Sequence, residues 1–358
     1  MTSGQQTAYT SRAHVEIDGQ ENAAISRDAI AALVEETVEG LYRCEITLTN
    51  FGTSRNGQSD YLYFNRETLD FGKEISLRLG PGNPPEQVFT GFITALEAEY
   101  LDGGGARLRV LAEDRLQDLR MTRRTRSFEQ VSDADVIEQI ARAHGFSTDV
   151  GLPGPTYASL AQVNLSDLAF IRARARACGG EVWVTGSELH VKPRTERNSE
   201  PIELMYGGSL KSFSVRADLA HQCTELAVAG WDVASKSAIR ETGDESIISA
   251  ELEGQTGGSA ILYEKFGERT ATLVHPGPMT PQEATSLAEA SYRDRARRFV
   301  TGRGLADGDP AIRAGATVRL GRLGTMFDGA YYVVRVKHAF TLSGYRTEFD
   351  VERPWIGR

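Results

Sequence analysis

The chain has 358 residues, 40% of them hydrophobic and 25% charged, which allows two or three domains of ordinary globular composition. A net charge of −9 argues against a protein whose main work is holding nucleic acid, because phosphate binding needs a basic surface. Cys44, Cys178 and Cys223 are its three cysteines, too few and too scattered for a disulfide or zinc scaffold, and they read as small buried apolar residues in a reducing compartment.

The first ten residues carry neither a basic nor an apolar run, which predicts no secretory signal. No stretch of about 18 apolar residues follows anywhere, which predicts no membrane insertion by this chain. From about 12 to 118 the pattern is mostly strand. Arg43 to Thr49, Glu74 to Leu79, Val88 to Leu96 and Ala106 to Leu111 alternate in part, the last two joined by a glycine turn at 102–105. Asp28 to Val38 has helix-forming Ala and Glu, but Val34, Thr37 and Val38 are β-branched, and strand is preferred.

From about 119 to 201 the character changes to a small α+β unit. Ser132 and Asp135 have the spacing of a capping box, Val136, Ile137, Ile140 and Ala141 follow at helical spacing, and Gly145 can end the helix. A second helix starts at Ser166, with Leu168, Ile171, Ala175 and Cys178 on one face and Gly179–Gly180 as its stop. Glu181 to Val191 then reads as a hairpin turning at Gly186. Gly/Pro-rich linkers lie at 151–155 and 193–201.

From about 202 to 358 strands return, including Leu210 to Val215 and Cys223 to Trp231, while residues 241–259 are acidic and glycine-bearing and read as a long exposed loop. Thr280, Pro281 and Glu283 mark a helix start, with Ala284, Leu287, Ala288, Tyr292 and Phe299 as its apolar stripe. Glu289 with Arg293, and Asp294 with Arg298, are i,i+4 pairs on its polar side. A two-residue turn at Ser343–Gly344 pairs Val336 with Val351, His338 with Phe349, Phe340 with Thr347 and Leu342 with Tyr345 on an apolar face. It also sets Arg335 opposite Glu352 and Lys337 opposite Asp350. A one-residue slip would destroy both sets. No internal repeat stands out in the sequence.

The search for chemistry yields no catalytic, cofactor-binding or metal residue. No two of His14, His144, His190, His221, His275 and His338 lie at i,i+4, and the zinc-hydrolase, P-loop and nucleophile-elbow patterns are missing. Gly302/Gly304 and Gly321/Gly324 are too loose for a dinucleotide fingerprint. His144 reads as a helix C-cap able to bond carbonyls, and His338 as a structural histidine. Trp183, Trp231 and Trp355 could stack on sugars, but packing is the stronger reading. The basic runs Arg120–Arg126 and Arg293–Arg298 lie close to acidic residues and read as solvated faces or protein contacts.

Two stretches resemble a known family. Val163 to Val184 with Leu189 to Val191 resembles the helix–hairpin of the phage late control D and VgrG hub family. Gly302 to Val318, Phe327 to Phe340 and Gly344 to Phe349 resemble that family's C-terminal hub barrel, and Phe89 to Thr94 and Glu113 to Leu119 are weaker matches. The resemblance implies a β-rich α+β chain: two similar hub β-barrel domains, 1–118 and 202–358, flanking a small α+β domain, 119–201. It implies a non-enzymatic structural part without cofactors, a baseplate hub of a contractile injection system or phage tail-like particle. Such hubs are homotrimers that join a hexameric inner tube to a trimeric spike as symmetry adaptors, alongside other baseplate proteins, and are assembled in the cytoplasm. The chain stops a few residues after the last hub strand, where VgrG chains continue, so the expectation is that the spike is a separate protein, or absent. The competing expectation is a cell-wall hydrolase or glycan-binding component of the same machine.

Overall fold

The computed structural model describes residues 12–53, 59–102, 105–197 and 200–357. The stretch read for an export signal, the tip of the glycine turn at 103–104 and residues 198–199 of the second linker lie outside them. The first segment runs β1 (His14–Ile17), β2 (Gln20–Glu21), α1 (Ala23–Asp28), β3 (Ala29–Thr37), β4 (Arg43–Thr49), β5 (Phe51–Thr53), β6 (Ser59–Tyr61), β7 (Glu74–Leu79), β8 (Glu86–Leu101) and β9 (Gly105–Glu113). The ambiguous stretch at 28–38 is the strand β3, with Ala32, Val34 and Glu36 buried at period two. Just before it, α1 is a helical turn that the sequence pattern did not predict, capped by the Asn22 side chain accepting the Ile25 N–H.

The middle segment holds α2 (Gln117–Arg120), β10 (Arg123–Ser132), α3 (Asp133–Ala143), β11 (Ser147–Val150), β12 (Thr156–Ser166), α4 (Asp167–Ala177), β13 (Gly180–Thr185) and β14 (Glu188–Pro193). Ser132 and Asp135 form the reciprocal capping box, and Gly145 takes a positive φ just past the helix end. Ser166 caps α4 by accepting the Ala169 N–H. Both helices bury their apolar stripes in one core with β13 and β14. Asp167, at the start of α4, is buried. Burial would raise its pKa, but hydrogen bonds from Gln162 and His144 and the charges of Arg126 and Arg124 hold it below the usual carboxylate range. Those partners account for two arginines of the first basic run.

The last segment holds β15 (Ile202–Met205), β16 (Leu210–Ala217), β17 (Glu225–Asp232), β18 (Ser237–Asp244), β19 (Thr256–Gly257), α5 (Gly258–Phe266), β20 (Thr270–Pro278), α6 (Pro281–Arg297), β21 (Val300–Asp307), β22 (Thr317–Gly321), β23 (Gly329–Thr341), β24 (Gly344–Arg353) and β25 (Trp355–Ile356). The stretch at 241–259 is not an exposed loop. It completes β18, makes a 3₁₀ turn over Glu245–Leu252 and enters α5. Ile248 and Leu252 are buried against Ala284, Ala288 and Tyr292 of α6, and these apolar anchors outweigh the acidic composition. Phe299 lies beyond the end of α6 and packs in a different core from the rest of the predicted stripe.

The terminal hairpin keeps its predicted faces but not its predicted register. The turn residues are Leu342–Ser343, so Val336 pairs with Phe349, His338 with Thr347 and Phe340 with Tyr345. A shift of two residues preserves side-chain parity, which is why the apolar face stays apolar and Arg335 and Lys337 meet Asp350 and Glu348 instead. Leu342, placed on the apolar face by the sequence reading, is exposed in the turn.

The segments read from sequence as two separate β domains share one sheet. Its order is β16-β21-β24-β23-β3-β4-β9-β8-β7-β1-β2, with β22 on β23 and β15 on β22. The two ends of the chain are joined where β3 pairs antiparallel with β23, from Thr37 opposite Arg335 to Ala31 opposite Thr341. On either side of this seam the strands repeat one plan. The spatial order β7-β8-β9-β4-β3 recurs as β22-β23-β24-β21-β16, with the same chain order in each set. The registers match in detail. Phe92–Glu113 corresponds to Tyr332–Glu352, and one residue, Thr94 or Val334, is bulged out shortly after. At the start of β3 and of β16 a second bulge skips Ile30 or Lys211. Bulges at equivalent places fix equivalent bends and twist. Residues 218–299, carrying β17 to α6, are inserted between β16 and β21 of the second set.

Glu36 at the seam is fully buried, accepts the Ala314 N–H at 3.1 Å and pairs with Arg313 at 2.5 Å. Removing one partner of a buried pair leaves an uncompensated charge. Glu36→Ala is expected to lower unfolding stability in urea by about 2–3 kcal/mol, while Arg66→Ala, at an exposed i,i+4 pair with Asp70, changes it by less than about 1 kcal/mol.

Candidate functional site

Where the three segments meet, a cleft of about 690 Å³ is lined by residues from all of them, including Glu36, Tyr42, Phe89, Asp114, Trp183 and Arg313. Clefts between domains are the usual place for a ligand or catalytic site. Arg197, from the linker after β14, lies over the Trp183 ring at 4.4 Å, donates to the Tyr42 hydroxyl at 2.9 Å and to Glu181 at 3.3 Å. The Tyr332 hydroxyl of β23 donates to the same Glu181 at 2.5 Å. Arg194 covers the Tyr332 ring at 4.0 Å and bridges Glu181 to Glu352 of β24. Burial pushes the Tyr42 phenol up to about 12. The arrangement ties β13 of the middle segment to strands from both ends of the chain through charged hydrogen bonds, each with a named partner.

Asp114 is the most enzyme-like group in the cleft. Burial pushes its carboxyl up to about 7, opposed by the backbone N–H groups of Tyr42 and Leu116. Those amides lie at 2.8 and 2.9 Å, one on each carboxylate oxygen. One backbone amide on each oxygen lets Asp114 pin the turn after β9 to Tyr42, and each oxygen keeps a lone pair on which the proton can sit.

The residues weighed from sequence are dispersed. His144 does not cap carbonyls with its ring. The backbone N–H makes that cap, while Nδ1 meets Asp118 at 2.6 Å and Nε2 meets Asp167 at 2.9 Å, because two carboxylates lie within reach of the helix end. His338 is fully buried on the apolar hairpin face, with Tyr345 Oη at 2.6 Å, and burial pushes its pKa down to about 3. Trp183 stacks on His190, Trp355 is buried under Arg353, and Trp231 is exposed. All three cysteines are buried and free. Among the described residues no group of three or more His, Cys, Asp or Glu could hold a metal ion, and no helix is long and apolar enough to cross a membrane.

Sequence reasoning missed two exposed features. Phe51, Tyr61, Phe64 and Tyr100 form an aromatic cluster at the far end of β8, with ring centroids 5.0–6.3 Å apart. Tyr100 is 66% exposed. Among the described residues, the half of β8 from Ala95 to Leu101 pairs only with β9, and β16 pairs with β21 and, apart from one bridge between Leu210 and Tyr206 at its start, with no other strand. Both leave backbone groups open, as edge strands do. Their sequences carried no signal beyond alternation, since which edge is free depends on the whole sheet.

This fold is shared with phage tail proteins. The chain is similar to the 43 kDa tail protein of prophage MuSo2 from Shewanella oneidensis, at 13% identity and TM-score 0.70, covering 96% of this chain and 98% of that one. It is similar to the tail protein from Neisseria meningitidis MC58, at 11% identity and TM-score 0.67, covering 97% and 98%. A third similar structure is the E. coli c3393 protein, described as a component of the type VI secretion system with structural similarity to the T4 bacteriophage tail proteins gp27 and gp5. There identity is 12% and TM-score 0.60, covering 96% of this chain and 78% of that one. No curated protein sequence matches the chain. The chain belongs to the family described as the Alg8 N-terminal domain, whose model matches residues 7–341.

The raised pKa of Asp114 has a stability consequence. The folded protein holds a proton up to about pH 7 that the unfolded chain releases near pH 4, so this group's contribution is present below about pH 4 and lost as pH rises through about 7. Asp114→Asn is expected to shrink the change in urea midpoint between about pH 5 and pH 8, read by tryptophan fluorescence.

Proposed function

We propose that this chain is a structural hub in the baseplate of a phage tail or contractile injection machine. It acts there as a homotrimeric ring with a pseudo-sixfold outline, joining a hexameric inner tube to a trimeric spike among other baseplate proteins. The observation that carries this reading is the repeated strand plan. Two equivalent five-strand sets in one chain let three chains present six equivalent faces, which matches a sixfold tube on one side and a threefold spike on the other. In this reading, residues 1–118 and 202–358 are two similar hub β-barrel domains around the small α+β domain at 119–201. The protein is assembled in the cytoplasm and then becomes part of the particle.

The junction supports a structural role. Tyr42, Arg194, Arg197, Glu181, Glu352 and Tyr332 form one hydrogen-bonded network across three segments, and the Asp114 carboxylate ties the turn after β9 to the backbone at Tyr42. The fold likeness to tail proteins supports the class of machine by analogy. Native mass spectrometry of the full chain is expected to give a mass of three copies. A mass of one copy at every concentration, also after mixing with a tube or spike protein from the same source, would remove the hub reading.

A further inference from the structure

The repeat makes the free edges of the sheet informative. Within the chain, the second half of β23 pairs with β3. In the repeated plan β8 takes the place of β23 and β16 the place of β3. The places equivalent to the two halves of the internal seam are therefore the two strands with an open outer edge, Ala95–Leu101 of β8 and β16. They lie at opposite ends of the eight-strand run β8-β9-β4-β3-β23-β24-β21-β16, so one chain cannot join them to each other without closing the sheet on itself. From this geometry we infer that β16 of one copy pairs antiparallel with Ala95–Leu101 of a second copy, repeating the β3–β23 seam between subunits. The inference rests on the hub reading and deepens it by naming the contact.

The register follows from the internal seam. Phe340–Ala32, His338–Val34 and Lys337–Glu35 are partners there. Their equivalents are Tyr100–Phe213, Ala98–Val215 and Glu97–Arg216. Chemistry not used to derive the register agrees with it. One face brings together Leu96, Ala98 and Tyr100 with Ala217, Val215 and Phe213, all apolar. The other brings together Glu97 and Glu99 with Arg216 and Ser214. A one-residue slip would set the carboxylates of Glu97 and Glu99 against Val215 and Phe213. Arg216 is 77% exposed on its side chain, with only Asp218 at 4.0 Å as an ionic neighbour, and Glu97 meets Arg109 at 3.2 Å on an exposed strand pair. Across the new seam Glu97 would be shared between Arg109 and the incoming Arg216, a cross-strand charge pair of modest strength. The contact also accounts for the aromatic cluster. Tyr61 and Phe64 back Tyr100 at 6.3 and 6.0 Å, and the partly buried Phe213 of a second copy, edge-on to its own Tyr331 at 5.6 Å, would lie beside Tyr100 on the same face.

The contact joins two different surfaces, so it is heterologous and propagates until it closes. The test is an engineered disulfide in the full chain. Ser214 and Glu99 are direct partners in the inferred register, so Ser214→Cys with Glu99→Cys is expected to give, on oxidation, a non-reducing gel ladder ending at three copies. The one-residue-shifted pair, Ser214→Cys with Ala98→Cys, points to opposite faces and is expected to give no ladder, and the native thiols of Cys44, Cys178 and Cys223 are buried. A native mass of three copies with no ladder from the in-register pair, or with equal ladders from both pairs, would overturn the edge pairing and leave the hub reading standing. A native mass of one copy would overturn both.

Discussion

Everything in this chain hangs on the antiparallel pairing of β3 with β23. These strands are about 300 residues apart in sequence, as the Arg335–Glu35 hydrogen bond spans, and their ladder turns two local β segments into one sheet. Long-range pairing of this kind costs loop-closure entropy before any contact rewards it. The reward is concentrated at the seam itself. Phe340 and Tyr345, from the last hairpin, are buried in the core built by the first segment, and the buried Glu36 carboxylate takes both the Ala314 amide and the Arg313 charge. Without that seam the first and last segments would each keep most of a core but would lose the ladder that makes them one sheet.

The middle segment adds a second set of ties. Its own core is independent, yet Glu181 on β13 accepts from Arg194, Arg197 and Tyr332, and Arg172 on α4 donates to the carbonyls of Glu39 and Gly40. Charged hydrogen bonds at a junction specify geometry more than they add stability, because desolvation offsets much of the attraction. The proposed hub, which would hold equivalent faces at fixed angles, needs that kind of specification. The cleft they surround is thereby a joint between segments, and Glu36, Tyr42, Asp114, Arg197 and Arg313 on its walls each make a bond that helps hold it.

Much of the local structure was legible in the sequence, because local rules decide it. The capping boxes at Ser132 and Thr280 are present, the helix starting at Ser166 is capped as its spacing predicts, and Gly186 turns the β13–β14 hairpin with a positive φ. The hairpin at 336–351 shows the limit. Parity fixed which residues share a face, but two registers two residues apart satisfy the same pattern, and the bulge at Val334 belongs to the one that forms. The stretch at 241–259 misled through composition, since a few residues such as Ile248 and Leu252 decided its burial among many acidic ones. The repeat was invisible for a related reason. Equivalent positions such as Ala32 and Phe213, or Tyr100 and Phe340, share strand position and face but not identity, so it survives in pairing and bulges while residue-by-residue likeness is lost.

In the proposed hub, that repeat would let a chain with two sets of strands serve a ring of six equivalent places. End-on electron-microscopy images of the purified protein, averaged without imposed symmetry, test it most directly. The account predicts a closed ring of six similar lobes whose true symmetry is threefold, with the inserted residues 218–299 decorating every second lobe. A ring in which each chain contributes one lobe, or particles that do not close, would contradict it.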